Sequence, residues 1–521
     1  MKQTNPASPD ILIVGAGPAG LAAAAECVRL RGGSGEGITL LEQEPGTVGG
    51  ISRTVCYKGF RFDIGGHRFF SKNPEIVRWW QDRLPEDFLS VHRQSRIFYR
   101  GCFYDYPLKP WNALRNLGFL ESSLCGLSYV HRQMWPIRPE TSFADWVSNR
   151  FGNRLFRHFF KTYTEKVWGI PCTEISADWA AQRIQGLSLM RAVWNAFSKP
   201  RPGGPVVKTL IDRFQYPRLG PGMMWEKTRD DLLKAGVNIR MGRKVTEIFW
   251  QNTAPDSDKR QVVSVRTLTP DGKIENWAGK EFILSMPLRE TLLALRPLPP
   301  ESAQKAARSL AYRDFMTVAL LIHQPERNAV LFPDNWIYIH DKRVQMGRIQ
   351  NFNNWSLEMV PQPKEGTLTC LGLEYFCNQG DTLWEKPDEE LLALAKRELM
   401  QVGIFPSGAV RMPGLRVEDG CVVRMPKAYP VYGMKYRGTL QVIRKELEKF
   451  SNLQVCGRNG MHKYNNQDHS MMTGLLAARN IAARSPAPEK NLFDLWSVNE
   501  DSLYQEEVLI QEEVSYANSA W

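Results

Sequence analysis

An α/β fold is predicted for this 521-residue chain: a Rossmann-like dinucleotide-binding domain interrupted by a discontinuous α+β domain. Three observations predict it. The stretch ILIVGAGPAGLAAAA, residues 11–25, runs from an apolar strand through Gly15, Gly17 and Gly20 into an alanine-rich helix. A glycine-proline turn followed by a helix and strands, YPRLGPGMMWEKTRDDLLKAGVNIRM, returns to the same logic after residue 216. A third strand, glycine turn and helix, NLQVCGRNGMHKYNNQDHSMMTGLLAARNIA, closes the pattern. The nucleotide domain is therefore expected over residues 1–74, 217–290 and 450–490, the second domain over 75–216 and 291–449, and a C-terminal tail over 491–521.

The opening segment is a βαβ unit. After ILIVG the helix starts at Pro18 and Ala19, and a glycine-rich loop leads to the second strand, ITLLE. The turn's N–H groups and the helix dipole face a pyrophosphate, while Glu42, closing the second strand, accepts hydrogen bonds from an adenosine ribose.

Between about residues 75 and 225 the chain turns aromatic and arginine-rich and is expected to be mostly helical. NALRNLGFLESSLCGLSYVHRQM has apolar residues at three and four spacing, the pattern of amphipathic helices, and core packing rather than membrane attachment is the expectation. From about 290 to 445 FMTVALLIHQ, NWIYIHD, QMGRIQNFNNW and TLTCLGLEYFC predict strands, and PDEELLALAKRELMQVGI predicts a helix starting at Asp388.

Composition narrows the function. No apolar run reaches the roughly 18 residues that span a bilayer, and MKQTNPASPD has no signal-peptide pattern, so a soluble cytoplasmic protein is expected, with peripheral membrane contact left open. The net charge of +12 is dispersed, without a long basic block, which favours a small anionic partner over nucleic acid. The nine cysteines show no CxxC spacing and the eight histidines no HExxH, so no metal site is expected.

The run EPGTVGGISRTV, with Gly49, Gly50 and Arg53, resembles the second glycine motif of glutathione-reductase-type and amine-oxidase-type FAD proteins. The resemblance implies FAD, with the glycine doublet passing close to the cofactor and Arg53 helping to hold its diphosphate. It also implies that Gly65, Gly66 and His67, in IGGHRFF, lie along the isoalloxazine, and that Val245 contacts the adenine side through its backbone. In the closing segment Gly457 follows the strand and a helix begins between Gln467 and Ser470. Its N-terminus, with Asp468, His469 and Ser470, would face the flavin's pyrimidine edge.

Together these segments closely resemble UDP-galactopyranose mutases within the FAD-dependent amine oxidase and protoporphyrinogen oxidase superfamily. KTYTEKVWG is similar to the mutases' substrate-side helix, which implies Tyr163 and Trp168 at the nucleotide or sugar face. By the same resemblance Arg183 and Arg424 clamp the substrate diphosphate, and Arg458, Tyr464 and Asp468 surround the flavin and the substrate phosphates. The GGHRFF run departs from the mutases' glycine-proline-histidine pattern. Two activities follow: a mutase-like reaction through the flavin N5 on a nucleotide-diphosphate sugar or related glycosyl precursor, or removal of a hydride from a small or lipid substrate. The second needs an electron acceptor, and the first a reductase that keeps the flavin reduced.

Overall fold

The computed structural model describes residues 9–106, 108–177, 179, 213–255, 257–403, 416–484 and 492–498. Strand Ile11–Val14, buried at every position, lies between Ile38–Leu41 and Glu281–Leu284, all parallel. Leu453–Val455 and Asn238–Arg240 complete this five-stranded sheet at its two edges. Both faces are covered, which explains why the strands are continuous apolar runs rather than alternating ones. Ile11 and Ile13 enter one core, Leu12 and Val14 the other. On the first face the helix Pro18–Leu30 crosses Gln467–Ala483 closely: a side chain on Gly474 would stand 2.1 Å from the Ala19 carbonyl oxygen.

The second sheet has seven strands, ordered Arg416–Pro430, Tyr312–Gln324, Thr367–Cys377, Arg348–Asn351, Trp336–Ile339, Ser95–Tyr99 and Cys102–Asp105. Neighbours run antiparallel except Trp336–Ile339 beside Ser95–Tyr99. Side chains alternate between its faces. Met316, Val318, Leu320 and Ile322 pack under the helix Asp388–Val402 through Leu391, Ala395 and Leu399. Phe315, on the opposite face, packs with Phe376, Tyr429 and Ile64, the last from the segment preceding Gly65 and Gly66. That face looks onto the nucleotide-binding turns.

The helical insert brings a correction. The helix Phe119–Met134 turns much of its apolar surface outward, with Phe119 83%, Leu120 75%, Leu127 66% and Met134 58% exposed. Its inner side is largely polar. Glu121 bonds Arg154 and His158, Ser128 Oγ accepts from the Arg154 N–H, and Arg132 donates to Asn153. Amphipathicity alone predicts core packing, but here polar contacts fix which side faces the protein. Among the described residues no helix is long and apolar enough to cross a membrane.

Candidate dinucleotide and substrate site

Three glycine turns from distant parts of the chain meet at the C-terminal end of the parallel sheet. Gly15 takes φ +100°, and a Cβ there would stand 2.1 Å from Ser285 Oγ. At Gly20 it would stand 1.8 Å from the Gly15 carbonyl oxygen, so the helix can lie against the strand only without a side chain. Gly17 differs: nothing lies within 4 Å of its Cβ position. It caps Pro18–Leu30 without a side-chain bond, and the N-terminal end of a helix is where backbone N–H groups lack intrahelical partners.

The second glycine pair is docked on this turn. The Gly49 N–H donates to the Ala16 carbonyl at 2.8 Å, and a Cβ on Gly50 would reach 3.5 Å from the Gly17 Cα. Arg53 is half-buried beside it and donates to the Gly50 carbonyl at 3.4 Å. Gly457 packs on the other side, where a Cβ would meet that of Ala19 at 2.8 Å. Glu42 closes the far end. Its carboxylate accepts from the N–H groups of Ala16 at 2.6 Å and Glu44 at 2.9 Å, and burial raises its pKa against the pull of those donors. The Arg243 N–H donates to the Glu42 carbonyl at 2.6 Å, which brings the half-buried Val245, two residues on, to the same edge.

Across the cleft the chain folds Gly65 and Gly66 against the second sheet, where a Cβ on Gly66 would lie 2.9 Å from Gln350 Nε2. His67 Nε2 sits 2.9 Å from the Ile64 carbonyl and donates to it as the neutral ring. Burial, then the Arg458 and Arg348 guanidiniums, push the imidazole down to about 4, so it is uncharged at neutral pH. Arg458 is fixed by bonds to the Asn465 carbonyl at 2.6 and 3.0 Å and to Ala428 at 3.2 Å, with its guanidinium over Tyr464 and Tyr429. Those two rings stack at 5.6 Å, and Trp168 meets Tyr464 edge-on at 5.9 Å. His67, Trp168, Arg458 and Tyr464 are thus brought into one neighbourhood.

The helix Gln467–Ala483 starts beside them. Asp468 Oδ1 accepts from the His469 backbone and lies 2.9 Å from its Nδ1, while Ser470 Oγ donates to Asn465 at 2.8 Å. These buried residues brace the helix start. Buried polar atoms nearby have no hydrogen-bond partner among the described residues: Asn465 Nδ2, Gln467 Oε1 and Gln350 Oε1. Together with the open side of Gly17 they would offer a dinucleotide both room for a phosphate and unanswered donors and acceptors.

Tyr163 stacks on His340 at 5.1 Å and meets Tyr338 edge-on at 5.3 Å. Burial raises its pKa far above the usual phenol, so it stays protonated. Its charged neighbour is Arg348, which sequence reasoning missed. Arg348 Nε donates to Glu374 at 2.6 Å, and Gln350 Nε2 donates to the same carboxylate at 2.7 Å. Glu374, an acid fully buried in the apolar strand TLTCLGLEYFC, was the available signal, because a carboxylate there requires a cation.

Arg424 is not among these residues. It pairs with Met316 across the sheet and so lies on the face covered by Asp388–Val402. There its guanidinium donates to Asp388 at 2.6 Å, the Lys386 carbonyl at 2.6 Å and the Trp384 carbonyl at 3.2 Å. Strand alternation thus puts Arg424 on the helix-covered face and Arg348 on the opposite one, beside Glu374 and Gln350, so Arg424 is not brought together with the other expected residues. Arg183, the other expected clamp residue, lies outside the described residues.

The NAD(P)-binding Rossmann-like domain family matches residues 13–83, the segment holding both N-terminal glycine motifs and His67. The solved structure of reduced UDP-galactopyranose mutase superposes with a TM-score of 0.73 at 21% identity, covering 94% of this chain and 99% of that one. A candidate protoporphyrinogen oxidase from Exiguobacterium sp. 255-15 superposes at 0.66 and 17%, covering 92% and 99%. A redesigned putrescine oxidase gives 0.55 and 15%, covering 91% and 99%. The chain shares its fold with these three solved structures. The shared fold takes in the seven-stranded sheet and the helical insert as well as the glycine turns, since each similarity spans nine-tenths or more of the chain.

Proposed function

We propose that this protein is an FAD-dependent enzyme acting on a nucleotide-diphosphate sugar or a related anionic glycosyl precursor. The observation that carries the cofactor is the open face of Gly17 against Gly50, at a helix N-terminus, with a second helix start beside unpartnered buried polar atoms. Gly15, Gly17, Gly20, Gly49 and Gly50 would admit the diphosphate backbone and Arg53 would add charge to it. Glu42 would hold the ribose and the Val245 strand would flank the adenine. Gly65, Gly66 and His67 would lie along the ring system, with the helix start at Asp468, His469 and Ser470 at its pyrimidine edge. When bound, the flavin supplies a redox-active N5.

The chain's own groups prepare the other side of that cleft. Arg348, held by Glu374, and Arg458, held by backbone carbonyls, present fixed positive charge to an anionic leaving group and need no rearrangement to stabilise it. The neutral His67 orients by hydrogen bonding without adding charge. Trp168, Tyr429 and Tyr464 wall the site and exclude water. The net charge of +12 and the likeness to the mutase fold support an anionic glycosyl substrate. In cells this reading calls for a reductase partner.

The second reading is hydride removal from a small or lipid substrate. The aromatic walls suit it, and the placement of Arg424 on the far face takes away one half of the expected diphosphate clamp. Titration of the purified protein with UDP-galactose, oxidised and dithionite-reduced, separates the two. Isomerised sugar from the reduced protein alone, without consumption of electrons, supports the first reading. Bleaching of the oxidised protein by a substrate, with recovery on adding an acceptor, supports the second.

A further inference from the structure

The insert carries two features that the dinucleotide cleft does not use. Leu120, Leu127, Val130 and Met134 follow one another at helical spacing along Phe119–Met134, all exposed, with Phe119 and Trp135 at the ends of the stripe. An unpartnered apolar stripe of this length is uncommon on a protein surface. Arg154 and His158, which Glu121 of this helix bonds, border a cavity of about 830 Å³. Arg100, Arg154, Arg157, Lys161, Lys342 and Arg343 line it.

Only some of that charge is answered. Glu121, from the first turn of the helix, pairs with Arg154 and His158, and Asp341 pairs with Arg343. Arg100, Arg157, Lys161 and Lys342 have no ion-pair partner among the described residues. His340, buried at the cavity wall, has no hydrogen-bond partner for Nδ1 among the described residues and stacks on Tyr163. Glu121 therefore ties the apolar helix to the basic cavity, and Tyr163 and His340 tie the cavity to the substrate side of the cleft.

We propose that the exposed face of Phe119–Met134 and the adjoining basic cavity dock this protein on an anionic lipid bilayer. The apolar stripe inserts among acyl chains, and the free arginines and lysines meet headgroup phosphates. Tryptophans at the flanks, Trp111 and Trp135, are suited to the boundary between the two. A second copy of the chain is a poorer occupant: a two-fold contact through this face would set one basic cavity rim against another. Docking here concerns the outside of the insert, so its failure leaves the dinucleotide reading standing.

The experiment is flotation of the purified full chain with phosphatidylcholine vesicles, with and without phosphatidylglycerol. The expected result is binding to the anionic vesicles that weakens with salt. Leu127→Asp is expected to weaken it at least about ten-fold, and Arg157→Ala and Lys161→Ala about five-fold each. Circular dichroism and the melting transition verify folding, and Met134→Asp replaces Leu127→Asp if that variant fails them. Three results would overturn the proposal: no binding to anionic vesicles, binding that neither aspartate variant changes, or binding of inorganic diphosphate without flotation. So would a wild-type dimer that Leu127→Asp converts to monomer by sedimentation.

Discussion

The cleft has two walls of different construction. The wall from the parallel sheet is a set of glycine turns: at Gly15 and Gly20 an added Cβ would stand 2.1 and 1.8 Å from existing atoms. The wall from the seven-stranded sheet is side chain, built from Arg348, Glu374 and Gln350, with Tyr163 and the Arg458 guanidinium set over it. A backbone wall suits a cofactor whose phosphates must come close, and it tolerates no substitution that adds atoms where packing is tight. A side-chain wall suits recognition, because exchanging a few residues re-sorts charge while the sheet stays as it is.

The contrast can be broken most severely at Gly20. Gly20→Val should destabilise the protein by more than about 5 kcal/mol, since the clash is with backbone that has nowhere to move. Thermal melting near that of the wild type would show that the helix does not depend on that contact. Arg348→Ala should cost about 3–5 kcal/mol by leaving Glu374 buried without its cation. Arg348→Lys should recover part of the stability, but less of the affinity for UDP-galactose, because the bond to Glu374 is made by the guanidinium Nε. Denaturant unfolding and binding titrations measure the two separately.

A third effect is pH-dependent. Burial pushes His340 and His462 down to about 3 and His67 to about 4, against 6.5 for the free ring. The unfolded chain takes up these protons as pH falls through about 6.5, whereas the folded chain stays neutral until each lowered pKa is reached. Stability should therefore drop between about pH 6.5 and 3, by up to about 1.4 kcal/mol per pH unit for each histidine. Urea unfolding at pH 7 and pH 5 checks this, and His462→Phe should flatten the slope. An unchanged slope in that variant would assign the loss to other groups. The smallest effect is expected of Arg424→Ala, about 1 kcal/mol for a part-exposed pair with Asp388. UDP-galactose affinity should not change; a large loss would return Arg424 to the substrate site.

These differences also explain what could be read from the sequence. The opening glycine motif is legible because its pattern is local: strand, turn, helix and Glu42 all fall within residues 11–42. The Asp388 helix start is likewise local, marked by Pro387 and three acids in its first turn. Arg424 and Arg348 were not separable in that way. Each sits in a strand of mixed polarity, and the face it takes is set by pairing with Tyr312–Gln324 or Thr367–Cys377, tens of residues away. The Phe119–Met134 helix shows the same limit, since its amphipathic pattern fixes two faces and only Arg154 and His158 decide which one turns inward.

The most direct test of the account is the visible absorption spectrum of the purified wild type beside Gly17→Val. A Cβ at Gly17 meets nothing of the protein within 4 Å, so this variant should fold as the wild type does by circular dichroism. The account predicts a stoichiometric flavin spectrum in the wild type and its loss in Gly17→Val. A folded variant that keeps its full complement of flavin would contradict it, as would a wild type that neither carries nor takes up FAD.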